Sequence, residues 1–152
     1  MTRVEVRRAT GEDAAAVADV WLASFSDALP TVRRAHDDDD VRRWIREHLV
    51  PSTECWVAVE AADGAEGRVV GMMALAPGWV EQLYVHPAYQ GRGVGSALLA
   101  VALERDEPLQ LWTFQVNTRA RAFYARHGFR EVELTDGATN EEREPDVRML
   151  RG

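Results

Sequence analysis

The chain predicts an α/β fold, an α+β mixed sheet with helices on both faces, in the order β-α-α-β-β-β-α-β-α-β-β. Three observations point to it. Runs rich in β-branched and aromatic residues, such as 109–116, alternate with breaker-free runs of helix formers, such as 97–103. A glycine-rich turn, Gln90-Gly91-Arg92-Gly93-Val94-Gly95-Ser96, joins a strand directly to a helix. The 152 residues, 46% hydrophobic with 6 prolines, suffice for one buried core, so a single domain over 1–152 is expected.

The elements follow in order. Residues 4–8 read as a first strand. Thr10-Gly11-Glu12-Asp13 is a capping arrangement, with Thr10 as N-cap and an acid three residues on. The helix behind it sets Val17, Val20, Trp21 and Ser24 along one face. Pro30 breaks the chain, and Asp37 to Asp40 precede a second helix over 41–49. Four acids there favour the helix dipole, or form an acidic lip for amines. Pro51-Ser52 ends this helical part. Strands over 55–60 and 68–76 flank the turn-rich loop 61–67, which makes an antiparallel hairpin. Pro77-Gly78 turns the chain into a strand over 79–86. The glycine turn, a helix over 93–105, a strand over 109–116 and a helix over 118–127 come next. Gly128 suits the C′ position of that helix. A strand over 129–134, a polar loop over 135–145 and a strand over 146–151 complete the pattern.

Composition narrows the function. A formal net charge of −7 argues against a nucleic-acid surface and is compatible with a cationic acceptor. No apolar stretch approaches the length that spans a bilayer, so no membrane partner is expected. Met1-Thr2-Arg3-Val4-Glu5 lacks an apolar h-region, so no signal peptide is expected and a cytoplasmic setting is the simplest. All 18 basic residues are arginine. The single cysteine, Cys55, lies in a strand and reads as a small buried hydrophobe. Four histidines and one cysteine show no ligand spacing, so no metal is expected.

The glycine turn is the strongest chemical signal. It leaves the first N–H groups of the following helix unpaired, at the positive end of its dipole, which suits a phosphate. A dinucleotide fingerprint needs G-x-G-x-x-G, and a P-loop needs G-x-x-x-x-G-K-[ST]. Gly91, Gly93 and Gly95 alternate and the chain has no lysine, so neither fits. What remains is Q-x-x-G-x-G, or else a tight connection in which glycine supplies positive φ. A second segment follows at Asn117-Thr118, a helix-start signal, and reads N-x-x-A-x-x-F-Y-x-x-x-G-F through Phe129.

In these two motifs the chain resembles the GNAT superfamily of acetyl-CoA-dependent N-acetyltransferases. The resemblance runs in order along nearly the whole chain. It is strongest from Glu81 to Phe129 and weakest before Pro51. It implies the GNAT-type acyl-CoA N-acyltransferase fold, with acetyl-CoA as cosubstrate. It also implies direct transfer of an acetyl group to a primary amine in a ternary complex. In that family the donor lies between two central strands that splay apart. Leu83 and Val85, with Tyr84 between them, would then offer backbone groups to pantetheine, while their side chains equally fill a core. Gln90, Gly91, Arg92, Gly93, Val94, Gly95 and Ser96 would hold the pyrophosphate, Arg92 adding charge. Asn117 either caps its helix or turns its amide toward the cofactor, and Thr118 is an equal candidate for the cap. Tyr124 matches the tyrosine that hydrogen-bonds or protonates the leaving sulfur; its other reading is an aromatic stacked beside Phe123.

The acceptor has to lose a proton, because an amine of pKa near ~10.4 is neutral to only roughly one part in 2,500 at pH 7. Glu81 is the candidate base, or else a solvated strand-end charge. His86, before Pro87, shapes a turn, and His127 suits a helix C-terminus. In the family, acceptor choice falls to the first helices and the loop before the last strand. Here these supply Trp21, Phe25, Trp44 and Trp79, and Asn140, Glu141, Glu142, Glu144 and Asp146. Aromatics beside carboxylates suit a cationic amine, and the same tryptophans also suit a core. A small-molecule amine is the first expectation and a protein N-terminus or lysine the second. A non-catalytic acyl-CoA-binding module is the rival from another class, and a thioester hydrolase lacks an arranged nucleophile–base pair. Homodimers are common in the resembled family.

Overall fold

The structure, a computed structural model, describes residues 3–62 and 65–152; Met1, Thr2 and the Asp63 and Gly64 of the expected turn lie outside the described residues. Among the described residues, seven strands form one sheet in the order β1-β2-β3-β4-β5-β7-β6. They are β1 (Val4–Arg8), β2 (Glu54–Ala62), β3 (Ala65–Ala76), β4 (Trp79–Val85), β5 (Leu109–Phe114), β6 (Arg130–Leu134) and β7 (Asp146–Arg151). Neighbours run antiparallel except β4 and β5, which run parallel. The structure thus has the mixed sheet that the alternation of runs predicts.

A 3-10 turn at Gly11–Asp13 leads into α1 (Ala14–Ala28). The Asp13 carboxylate accepts the Thr10 N–H at 2.8 Å and pairs with Arg7 at 2.9 Å, closing the corner between β1 and α1. The Arg7 hydrogen bond holds this carboxyl below its ordinary pKa, against the opposing effect of burial.

The second helix differs from expectation at both ends. Asp37 is its N-cap, accepting the Asp40 N–H at 2.9 Å, so α2 (Asp38–Trp44) takes the acids into its first turn. It continues through a wide π turn at Ile45–Leu49 into α3 (Val50–Ser52), and Pro51 sits inside that last turn. Proline at 51 cannot donate to the Glu47 carbonyl and its ring crowds it, so the helix widens there instead of stopping.

Beyond α3, β2 and β3 pair antiparallel and extend further toward the turn than expected. A 3-10 turn at Pro87–Tyr89 precedes the glycine loop. Then come α4 (Val94–Leu103) and α5 (Thr118–Arg126).

Alternation along the strands divides the core by sheet face. On one face Met73, Leu75, Leu111 and Met149 pack with Leu98 and Leu99 of α4 and Tyr124 of α5. On the other, Val57, Met72 and Ala74 pack with Val17 and Val20 of α1 and with Val41 and Ile45. Cys55 is buried among this second set, and burial pushes its thiol up to about 11. The end of α1 makes a smaller cluster, Phe25, Leu29 and Val32, against Phe114 of β5.

The feature that positions everything else is the join between β4 and β5. They share one register pair, Trp79 with Gln110, and the Gln110 N–H donates to the Gly78 carbonyl at 2.9 Å. Beyond that bridge the strands diverge, opening a fork in the middle of the sheet.

Candidate active site

The fork exposes a particular set of backbone groups. Ala74 pairs with Gln82 and Leu75 with Val80, so Glu81 is the extra residue of a β-bulge. The bulge puts Val80 and Leu83, three residues apart, on one sheet face, and turns Gln82 and Tyr84 to the other. The His86 N–H donates to Val70 of β3 at 2.8 Å. With a strand period of two, the backbone groups of Leu83 and Val85 therefore point away from β3 into the fork. The Val85 carbonyl is already engaged there. It accepts the Ser24 hydroxyl at 2.7 Å and the Gln90 side-chain amide at 3.2 Å. Both groups of Leu83 and the N–H of Val85 remain directed into the gap.

Just past this strand the chain turns tightly. Gly91 has φ +75 and Gly93 φ +83, conformations that L side chains adopt at a cost. Gly93 is the N-cap of α4, and the first helical hydrogen bond runs from Ala97 N–H to Gly93 O at 3.0 Å. The N–H groups of Val94, Gly95 and Ser96 thus have no acceptor in the helix. Across the fork, Asn117 caps α5 by accepting the Ala120 N–H at 3.1 Å, which makes Thr118 the first helical residue. Its amide NH₂ group is left over for another partner.

Tyr124 belongs both to the core and to the cavity wall. It is 7% exposed and packs edge-on against Phe123 and Phe129, with centroids at 5.2 and 5.6 Å, and it also lines the cavity. Burial, with a smaller push from Tyr84, raises its phenol well above the ordinary range, so it keeps its proton. Tyr84 is likewise pushed up to about 12, first by burial and then by the Glu142 charge.

These groups line one cavity of about 560 Å³ that passes through the fork. The structure brings together Leu83, Tyr84, Val85, Gln90, Gly91, Gly93, Val94, Gly95, Ser96, Asn117 and Tyr124 of the expected site. Arg92 and Glu81 are not part of its lining. The Arg92 guanidinium lies over the Tyr89 ring, 5.4 Å from its centroid, and the Tyr89 hydroxyl donates to Glu60 at 2.7 Å. Glu81 is exposed on the bulge. The sequence reading missed Asp27, Arg119 and Arg126 as lining residues. The seven-residue spacing of the two arginines on one helix was the available signal; Asp27 had none.

Beside the fork, on the α1 face, stands an aromatic cluster. Trp21 stacks on Phe25 at 5.2 Å and meets Trp44 at 6.5 Å and Tyr84 at 5.7 Å, while its indole N–H donates to Gln82 at 3.1 Å. Trp79 is not among them, because it sits at the bridged end of the fork. In the loop 135–145, Asn140 donates to the Glu144 carbonyl at 2.7 Å and to Asp146 at 3.1 Å, and Glu141 meets His36 at 2.8 Å. Asn140 and Asp146 therefore shape the loop. Among the described residues no group of three His, Cys, Asp or Glu could hold a metal ion, and no helix is long and apolar enough to cross a membrane.

The donor set fits a phosphorylated acyl carrier. Unpaired N–H groups at a helix start, two positive-φ glycines with no side chain in the way, and arginines nearby suit the phosphates. The strand groups facing the gap suit an amide-bearing arm, and Tyr124 presents a protonated phenol beside it.

Comparison with known proteins agrees. The chain is 40% identical over 116 residues to an amino-acid acetyltransferase of Mycobacterium tuberculosis, covering 70% of this chain and 66% of that one. It is 28% identical over 130 residues to the peptidyl-lysine N-acetyltransferase YjaB of Escherichia coli, covering 84% and 82%. The solution structure of apo YjaB superposes with TM-score 0.79 at 22% identity over 97% of both chains. The PaiA N-acetyltransferase of Thermoplasma acidophilum, solved in complex with coenzyme A, has the same fold, with TM-score 0.72 at 20% identity over 98% of both. The acetyltransferase (GNAT) domain family matches residues 51–131, the stretch that holds the bulge, the glycine loop and Tyr124. With its two motifs brought to one forked sheet, this chain belongs to the GNAT superfamily and is an N-acetyltransferase.

Proposed function

We propose that the cavity takes acetyl-CoA as cosubstrate and that the acceptor is a small-molecule primary amine, the whole site being held by one domain over 1–152. The observation that carries this is the joint lining of one cavity by the glycine loop and by Tyr124. Acetyl-CoA supplies an activated thioester, and the chain positions it and manages protons. The N–H groups of Val94, Gly95 and Ser96 hold the pyrophosphate, with the Gln90 side chain bracing the preceding strand. Leu83 and the Val85 N–H pair with the pantetheine arm, with the leftover Asn117 amide opposite. Tyr124, protonated and buried, donates to the departing sulfur.

The acceptor approaches from the α1 face, where Trp21 meets Trp44 and Tyr84, and Tyr84 feels the Glu142 charge. Aromatic faces beside a carboxylate favour a cation. Glu81, exposed on the bulge, takes the acceptor's proton through water. The relatives' names support two acceptor classes, amino acids and peptidyl lysines.

Calorimetric titration with acetyl-CoA, without acceptor, tests the donor: one-site binding is expected, and no binding at millimolar donor overturns the reading. Tyr124→Phe should lower turnover by about 10²-fold or more with acetyl-CoA affinity unchanged. Unchanged turnover removes Tyr124 from its role. Acetylation of lysine peptides but of no small amine overturns the acceptor assignment.

A further inference from the structure

We infer that the Tyr84 hydroxyl anchors the acceptor: it accepts a hydrogen bond from an N–H of the incoming amine on the α1 face of the fork, opposite Tyr124, and Glu142 turns it to do so. The inference deepens the acceptor reading above and rests on it.

The two phenols reach the cavity from opposite sides of the sheet. Tyr84 packs with the residues under α1, whereas Tyr124 belongs to the core under α4 and α5. Both still line the one cavity, because β4 and β5 have parted between them. The Tyr84 ring is held in place there. Met72 of β3 is its register partner, and Trp21 meets it edge-on at 5.7 Å. Trp21 is fixed in turn by its stack on Phe25 and its N–H bond to Gln82.

The hydroxyl at the end of this ring is uncommitted. Tyr89, the third tyrosine, donates to Glu60, but neither Tyr84 nor Tyr124 makes a hydrogen bond among the described residues. No fully buried side-chain oxygen among them lacks a partner, so both hydroxyls open onto free space, in the cavity that they line. Tyr124 is assigned to the departing sulfur; Tyr84 has no such task.

Charge decides which way the Tyr84 O–H points. Glu142 is half-buried in the loop before β7, makes no ion pair or hydrogen bond among the described residues, and acts through its charge on this phenol. Its neighbour Glu141 meets His36 at 2.8 Å, which brings the loop against the segment between α1 and α2. A phenol that keeps its proton turns the hydrogen toward such a carboxylate and leaves its oxygen lone pairs to the cavity. An amine N–H donates to those lone pairs, and the nitrogen's own lone pair stays free to attack the thioester carbon. A phenol turned the other way would donate to that nitrogen and block it. The α1 wall carries the same sign of charge, since Asp27 is the charged residue it adds to the cavity lining.

Steady-state kinetics with n-butylamine and with Nα-acetyl-lysine amide test this on the native chain, on Tyr84→Phe, on Glu142→Gln and on the double variant. Calorimetry with acetyl-CoA on the same proteins reads the donor side and verifies that they are folded. Tyr84→Phe should raise the acceptor KM about tenfold or more, the scale of a hydrogen bond to a charged group, and leave acetyl-CoA affinity within about twofold. Glu142→Gln, in a loop outside the core, should raise the same KM by less. The double variant should fall short of the product of the two, because Glu142 acts through Tyr84. An acceptor KM unchanged in Tyr84→Phe, or an equal loss of acetyl-CoA affinity, overturns the inference while leaving the acceptor reading in place. A double variant equal to the product overturns the part given to Glu142. Turnover of neither amine by the native chain with acetyl-CoA bound overturns the acceptor reading and the inference together.

Discussion

Replacing Gly93 by asparagine and, separately, by aspartate isolates charge from backbone at the mouth of the cavity. Gly93 has φ +83 and ψ 5, and a side chain built on it would meet nothing within 4 Å. The backbone cost for an L residue there is about 1–2 kcal/mol, toward the low end for Asn and Asp. Both variants should therefore melt lower by a few degrees, about 2–4 °C per kcal/mol at this size, and by the same amount. Their charges differ. At an effective dielectric of ~20 and a separation of ~6 Å, one carboxylate repels one phosphate charge by about 2.8 kcal/mol. Gly93 is exposed, so screening at physiological salt reduces that to about 1.4 kcal/mol, a factor of about ten in affinity. Acetyl-CoA should bind Gly93→Asp about tenfold more weakly than Gly93→Asn, and high salt should close the gap. Equal affinity of the two variants at low salt would show that the N–H groups after Gly93 do not face the phosphates.

Raised phenol pKa values make the fold sensitive to alkali. An unfolded tyrosine ionises near ~10, whereas Tyr84 is held at about 12 and Tyr124 higher. Above pH 10 the unfolded chain releases protons that the native chain keeps, so stability falls by up to about 1.4 kcal/mol per pH unit for each tyrosine. Tyr84→Phe should flatten that limb in melts between about pH 9 and 11; an unchanged slope refutes the assignment. The acid limb has the opposite sign. Asp13 is held low by Arg7, so its contribution is present at neutral pH and lost as pH falls through its native value. Arg7 is 43% exposed at its side chain, so Asp13→Asn should cost only about 1 kcal/mol in urea unfolding. Gly137 has φ +80, and a side chain there would begin 2.4 Å from the Glu144 carbonyl. Gly137→Ala should cost about 2 kcal/mol and raise the acceptor KM while leaving acetyl-CoA binding intact, as steady-state kinetics and calorimetry would show.

Local chemistry was the legible part of this chain. The bounds of β1 and β7 and the turn at Gly93 follow from neighbouring residues alone, whereas the choice of Asn117 over Thr118 as the cap needed the structure. The two motifs that carry the family resemblance are also contiguous stretches, and all of the glycine-loop residues but Arg92 line the cavity. The helical part does end at Ser52, but the expected bound at 49 fell three residues short because a wide turn absorbs Pro51. The bulge at Glu81 was visible only as a phase slip, Val80 and Leu83 sharing a face three residues apart. Asp27, Arg119 and Arg126 escaped because their membership of the cavity depends on how α1 and α5 approach from opposite sheet faces. The family resemblance sets Trp79 beside Trp21 and Trp44, whereas β4 carries it to the bridged end of the fork.

A sheet bridged by one pair at its centre is, mechanically, two sheets that share a hinge pin. Inner strands of a sheet are usually the last to exchange their amide protons with water, yet the Leu83 and Val85 amides should exchange with the loops. Each half also ends inside the molecule on a bare strand margin, the kind of surface that templates association between chains. The helices α1, α4 and α5 roof those margins, and an extended ligand lying in the gap would cap them. Occupancy of the gap should then protect the protein from clumping on heating, so that storage behaviour and catalysis answer to the same molecule.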